Sequence, residues 1–180
     1  MDRILVAALA LCLSACSPAL NWRSVVLPEI GLRASLPCKP DHLERRIELA
    51  GTDTAVDMAG CAADGVTFAV ACAVLSNPAQ AGAALAHWRA AVLAGLRAPA
   101  PGQPGAAQDS PFVPVGALDL PQSVRTVVQG RQPGGEAVHA QAVWFARVQG
   151  PQLSACHAVV LSAGPRAEVA EGFFSGLELQ

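Results

Sequence analysis

The ten residues Val66-Thr67-Phe68-Ala69-Val70-Ala71-Cys72-Ala73-Val74-Leu75 are apolar at every position but Thr67, and no alternation divides them into a wet and a dry face. Opened by the turn pair Asp64-Gly65, such a run reads as a central strand covered on both faces. The rest of the chain must supply that cover. Upstream, Leu43 to Ala50 alternates imperfectly, Gly51-Thr52-Asp53 turns the chain, and Thr54 to Cys61 returns with Val56 and Met58 on one face. Earlier still, Val25 to Leu36 is a strand or bent pair, interrupted by Pro28 and Gly31 and ended by Pro37.

Downstream, Asn77-Pro78 announces a helix. Asn can cap the free amides, Pro fits the first helical position, and Gln80 stands where a capping box wants Glu or Gln. Leu85, Trp88, Val92 and Leu96 follow at helical spacing, with Pro99 beyond the end. Residues 98–114 form a Pro/Gly-rich surface loop, and Val113 to Leu118 a short strand. Val124 to Arg131 pairs through Pro133-Gly134-Gly135 with Ala137 to Val148, which turns at Gln149-Gly150-Pro151 into Leu153 to Leu161. A final helix begins near Gly164-Pro165 and buries Val169, Ala170, Phe173 and Phe174. Two meanders separated by a helix and closed by another predict an α+β fold, an antiparallel sheet of about six to seven strands packed by one long and one C-terminal helix.

The amino-terminal segment carries an address. After Met1-Asp2-Arg3, the apolar run Ile4 to Leu13 is too short to span a bilayer, which takes about 20 residues, and has the length of a signal core. Leu13-Ser14-Ala15-Cys16 follows and resembles the lipobox of bacterial lipoproteins: a branched apolar residue, two small ones, then the thiol that takes a diacylglycerol. The resemblance implies a cleaved signal at residues 1–15, lipidation of Cys16, a tether over 16–22 and a single domain over 23–180. Ser17 after the cysteine, in place of the Asp associated with inner-membrane retention, implies outer-membrane delivery and a lipid-anchored protein at the periplasmic face. Each buried methylene contributes about 0.8 kcal/mol, so two or three acyl chains make a durable anchor. Loss of residues 1–15 removes Asp2 and Arg3 together and leaves the net charge at −2, which does not invite nucleic acid.

Cys12 leaves with the signal and Cys16 carries lipid, so Cys38, Cys61, Cys72 and Cys156 remain in an oxidising compartment. Three pairings are possible. In a hairpin folded about Asp64-Gly65 the residue opposite Cys61 lies near Val66, so Cys61 and Cys72 should not face each other. The expected disulfides are Cys38 with Cys61 and Cys72 with Cys156, worth roughly 3 and 4.5 kcal/mol in the chain-entropy model. A metal site on Cys38 and His42 is the alternative, but the other cysteines lack the close spacing of metal ligands.

Motifs for catalysis are sparse. Gly172-Phe173-Phe174-Ser175-Gly176 has the wrong spacing for a nucleophile elbow and reads as a core stripe with a helix cap. Asp41-His42 lies in a surface turn after Pro40, and His87 beside the helical stripe is a boundary residue. His139 and His157 sit in strands on a polar face, where facing histidines could bind a metal or sense pH. Phosphate-loop, dinucleotide and zinc-protease motifs are missing from the sequence. The reading is a non-enzyme without cofactor.

The segment Leu36-Pro37-Cys38-Lys39-Pro40, the strand Gly65-Val66-Thr67-Phe68-Ala69-Val70-Ala71, one long helix, a triple-strand meander and the closing Phe173-Phe174-Ser175-Gly176-Leu177 follow in an order that resembles small exported proteobacterial proteins. Their fold is similar to that of the photosystem subunit PsbP. The resemblance implies an α/β/α sandwich acting as a binding or assembly module, with an envelope protein or a small apolar ligand as partner and the sheet surface under the 98–114 loop as contact region. An envelope hydrolase with a site assembled from distant residues is the second reading.

Overall fold

The computed structural model describes residues 20–180. Cys16 and the signal reading over 1–15 lie outside the described residues, as does most of the expected tether. Among the described residues, no helix is long and apolar enough to cross a membrane.

Strands β1 (Arg23–Leu27), β2 (Leu32–Leu36), β3 (Asp41–Leu49), β4 (Thr52–Ala63) and β5 (Val66–Leu75) come first. A 3-10 turn at Pro78–Gln80 leads into α1 (Ala81–Gly95). Then follow β6 (Gln108–Pro111), β7 (Val124–Arg131), β8 (Ala137–Gln149), β9 (Gln152–Ser162), α2 (Ala167–Phe174) and β10 (Glu178–Leu179). A seven-stranded antiparallel sheet runs in the order β3-β4-β5-β9-β8-β7-β6, and a three-stranded sheet runs β1-β2-β10. The described residues are mostly strand, with two helices.

The apolar run that became β5 is central, hydrogen-bonded to β4 on one side and β9 on the other. Its alternation sends Val66, Phe68, Val70 and Cys72 to one face and Ala71, Ala73 and Leu75 to the other. The first set shares a core with Leu27, Leu32 and Leu36 of the small sheet and with Phe173 and Phe174 of α2. Phe68 meets Phe173 edge-on, with centroids 5.7 Å apart. The second set shares a core with Ala84, Leu85 and Trp88 of α1. The small side chains on that second face, Ala71, Ala73, Ala142, Ala146 and Ala155, let the helix lie close to the sheet. Each fully buried Leu or Phe contributes about 1.5–3 kcal/mol of transfer free energy, so both faces stabilise the same strand.

Several expectations are refined. The β4–β5 hairpin turns on Asp64 and Gly65, both at positive φ (51° and 70°), as a two-residue turn demands. Its register therefore sets Cys61 opposite Phe68, not Val66. Pro78 opens a 3-10 turn whose amide at Ala79 is capped by the Asn77 side chain at 3.0 Å. Gln80 makes no capping hydrogen bond.

The expected strand at Val113–Leu118 is a correction. The strand is Gln108–Pro111, inside the expected loop, while Val115 forms only an isolated parallel bridge with Glu178. Pro114 has no amide to donate, and Gly116 sits at φ 81° where a Cβ would collide with the Leu179 backbone, so the segment bends over β10 instead of pairing along it. The second sheet was not foreseen: the bent pair β1–β2 leaves the main sheet and is joined by the two-residue β10.

Candidate functional site

The end of α1 carries one of three non-glycine residues at positive φ among the described residues. The Ala98 amide donates to the Leu93 carbonyl (3.0 Å) and the Arg97 amide to that of Ala94 (3.0 Å), while Arg97 itself adopts φ 48°. This left-handed position after a helix is usually glycine, since a side chain there costs about 1–2 kcal/mol. The helix end then rests on β7. The Arg131 amide donates to the Leu96 carbonyl at 2.6 Å, and Gly130 permits that approach because a Cβ there would collide with the same oxygen. One turn further along the loop, the Gln129 amide donates to Gly105 O at 3.0 Å. Strand β6 pairs with β7 only as far as Val127. Beyond it the helix end and the 98–107 loop take over the outer edge of β7.

This arrangement frames a crevice of about 420 Å³. Pro99 and Pro104 of the loop form one wall, Gln129 to Arg131 and Ala137 to His139 the floor, and Ala163 to Pro165, before α2, the far wall. It lies where the sheet surface meets the loop. Its polar groups are Arg97, Arg131, His139 and Gln129, with no carboxylate among the lining residues. Both guanidinium groups reach the β7–β8 turn: Arg97 donates to Pro133 O (3.4 Å) and Arg131 to Gly135 O (2.9 Å). His139 is half-buried in the crevice lining, and its Nδ1 is buried without a hydrogen-bond partner among the described residues.

The other residues singled out in the sequence are dispersed. Cys38 is bonded to Cys61 and Cys72 to Cys156, the Cα separations being 5.9 and 4.1 Å. The sulfur of Cys38 is thereby committed, and the Cys38–His42 metal alternative loses its thiolate. Asp41 and His42 begin the exposed edge strand β3, not a turn. His87 is exposed on α1, and Ser175 caps α2, its hydroxyl donating to Gly172 O (3.4 Å).

His157 is a second correction. It is buried, lying 4.7 Å from the Trp88 ring and stacked at 6.4 Å on Trp144. Alternation along β8 and β9 places His157 on the α1 face and His139 on the opposite face, so the two cannot share a metal. Burial lowers the His157 pKa to about 4, keeping the imidazole neutral.

Of the crevice residues, only His139 was singled out in the sequence. Arg97 and Arg131 carried a weak local signal: each stands immediately before a Pro/Gly-rich segment, where a chain reversal brings side chains together. No protein-family model matches the chain, and no curated protein matches it.

Proposed function

We propose that the chain is an exported lipoprotein, anchored through Cys16 at the periplasmic face of the outer membrane, whose domain serves as a non-catalytic binding or assembly module. The observation that carries this reading is the pairing of the lipobox-like Leu13-Ser14-Ala15-Cys16 with two disulfides among the remaining cysteines of the domain. Disulfides of this kind persist in oxidising compartments. The finer fold assignment, a PsbP-like α/β/α sandwich, is supported by Trp88 of α1 and Phe173 of α2 lying in the cores on opposite faces of one sheet. The crevice under the 98–107 loop is the module's binding place: the loop is pinned by backbone hydrogen bonds rather than hanging free, which lowers the ordering cost of binding.

Mass spectrometry of the membrane-extracted protein tests the anchor. The expected product begins at Cys16 and carries two or three acyl chains, and Cys16→Ala should block processing and release from the signal. An unmodified amino terminus, or normal maturation of the Cys16→Ala chain, would refute the assignment.

A further inference from the structure

We propose that the crevice at the end of α1 binds a small phosphate-bearing anion between the guanidinium groups of Arg97 and Arg131, with His139 as a third donor. The inference rests on the reading of this crevice as the binding place of the module and names its ligand chemistry.

The two guanidinium groups donate to carbonyls two residues apart in one turn, those of Pro133 and Gly135. Each makes one side-chain hydrogen bond among the described residues, although a guanidinium has five N–H donors. Both arginines line the crevice, whose lining residues include no carboxylate, so an anion seated there is attracted by two positive charges. Among the described residues neither arginine forms an ion pair within 4 Å: Asp64 faces Arg166 at 3.5 Å, and Glu136, in the same turn, lies beside Gly134. Arg97 near the helix C-terminus complements the macrodipole. That alone does not account for a side chain at a φ where glycine is unstrained, nor for Arg131, which is on a strand. A strained residue that carries a charge to a cleft is the pattern of a binding site.

Guanidinium forks suit phosphate oxygens. The proline, alanine and valine walls (Pro99, Pro104, Pro165, Ala137, Val138, Ala163) suit the organic part of a phosphoester. A free phosphoester and a phospholipid headgroup share this chemistry.

Calorimetric titration of the processed, lipidated protein in neutral detergent separates the outcomes, with glycerol 3-phosphate and dihexanoyl-phosphatidylglycerol as probes. Saturable binding is expected, weakened about tenfold (about 1.4 kcal/mol) by Arg97→Gly and by Arg131→Gln. The thermal midpoint of the Arg97→Gly protein should be unchanged or raised, because glycine relieves the left-handed backbone, so lost binding cannot be ascribed to lost folding. Tighter binding of the lipid probe assigns the site to a headgroup, and equal binding assigns it to a soluble phosphoester. Absence of saturable binding to either probe, or equal affinity in the parent and both variants, overturns the proposal. Acylation at Cys16 is read separately by mass, so the anchor and the ligand assignment can each fail alone.

Discussion

His157 shows how one residue ties acid sensitivity to packing. Its imidazole packs against Trp88 and Trp144, its Nδ1 has no partner among the described residues, and burial lowers its pKa to about 4. In the unfolded chain the same group titrates near its ordinary value of about 6.5. Between these values the unfolded state binds the extra proton, so stability falls as pH drops from about 6.5 to about 4 and levels off below. The total is on the order of 3 kcal/mol. His157→Phe keeps a ring against the two indoles and removes the proton. Urea unfolding at pH 7 and pH 4.5 should show a smaller acid loss in the variant than in the parent protein, and an identical loss would show that His157 is not responsible. Sequence alone placed this histidine on a polar face, because Gln141 and Arg147 nearby suggested one. Gln141 in fact lies on the opposite face and is buried under Arg125, which donates to it at 2.6 Å. A polar side chain satisfied inside the protein looks in sequence like one facing water.

At the scale of the elements, the helix end and the two sheet edges differ in their protection. The outer edge of β7 is closed by β6, by Gly105 and by Leu96. Gly130→Ala would drive a Cβ into the Leu96 carbonyl and displace the helix end, an overpacking worth about 1–3 kcal/mol. Limited proteolysis should then cleave the 98–107 loop faster than in the parent protein; unchanged protection would mean that the loop is held by other contacts. At the opposite end of the sheet, β3 is the outermost strand among the described residues, an edge nine residues long. Its exposed Glu44, Arg45, Arg46 and Glu48 guard it, as charges on edge strands do. Arg46 is held by Asp53 at 2.8 Å, an ion pair that raises the arginine pKa through the hydrogen bond and the charge of Asp53. Leu43, 47 % exposed, and Ile47 lie on one side of this strand. Arg45→Val with Arg46→Thr should raise concentration-dependent scattering above that of the parent protein, and equal scattering would show that the charges do not protect the edge.

For the whole molecule, the long-range order of the strands decides stability. Cys38–Cys61 ties the connection between β2 and β3 to β4, and so the small sheet to the large one. Cys72–Cys156 joins directly opposed residues of β5 and β9, 84 residues apart. In the chain-entropy model the longer loop contributes about 4.6 kcal/mol and the shorter about 3.4. Replacing Cys72 and Cys156 by Ala should therefore lower the urea midpoint more than replacing Cys38 and Cys61, and the reverse order would contradict this account. The main-sheet hairpins were legible because each is bounded by Gly, Pro or Asp at a turn, as at Gly51, Asp64-Gly65 and Gly150. The β4–β5 turn, by separating Cys61 from Cys72, removes one of the three possible disulfide pairings. The three-stranded sheet was not legible: β10 has two residues, and its register with β2 is set by tertiary contact rather than by any local pattern. The crevice was legible only as a region, since the placing of Arg97 and Arg131 in one lining depends on Gly130 admitting the helix end.

The pairing of β5 with β9 also fixes an order of events. A chain that emerges amino end first holds its most apolar strand ready long before the segment that will lie beside it has appeared. Until then one side of that strand lacks its hydrogen-bonding neighbour, and the layers that will shelter it are incomplete. Late, all-at-once assembly is the natural consequence of joining the two meanders at their centres, and contacts so distant along the chain slow it further. A version of this protein cut short after β8 should therefore be no partly finished domain but a chain without a stable interior.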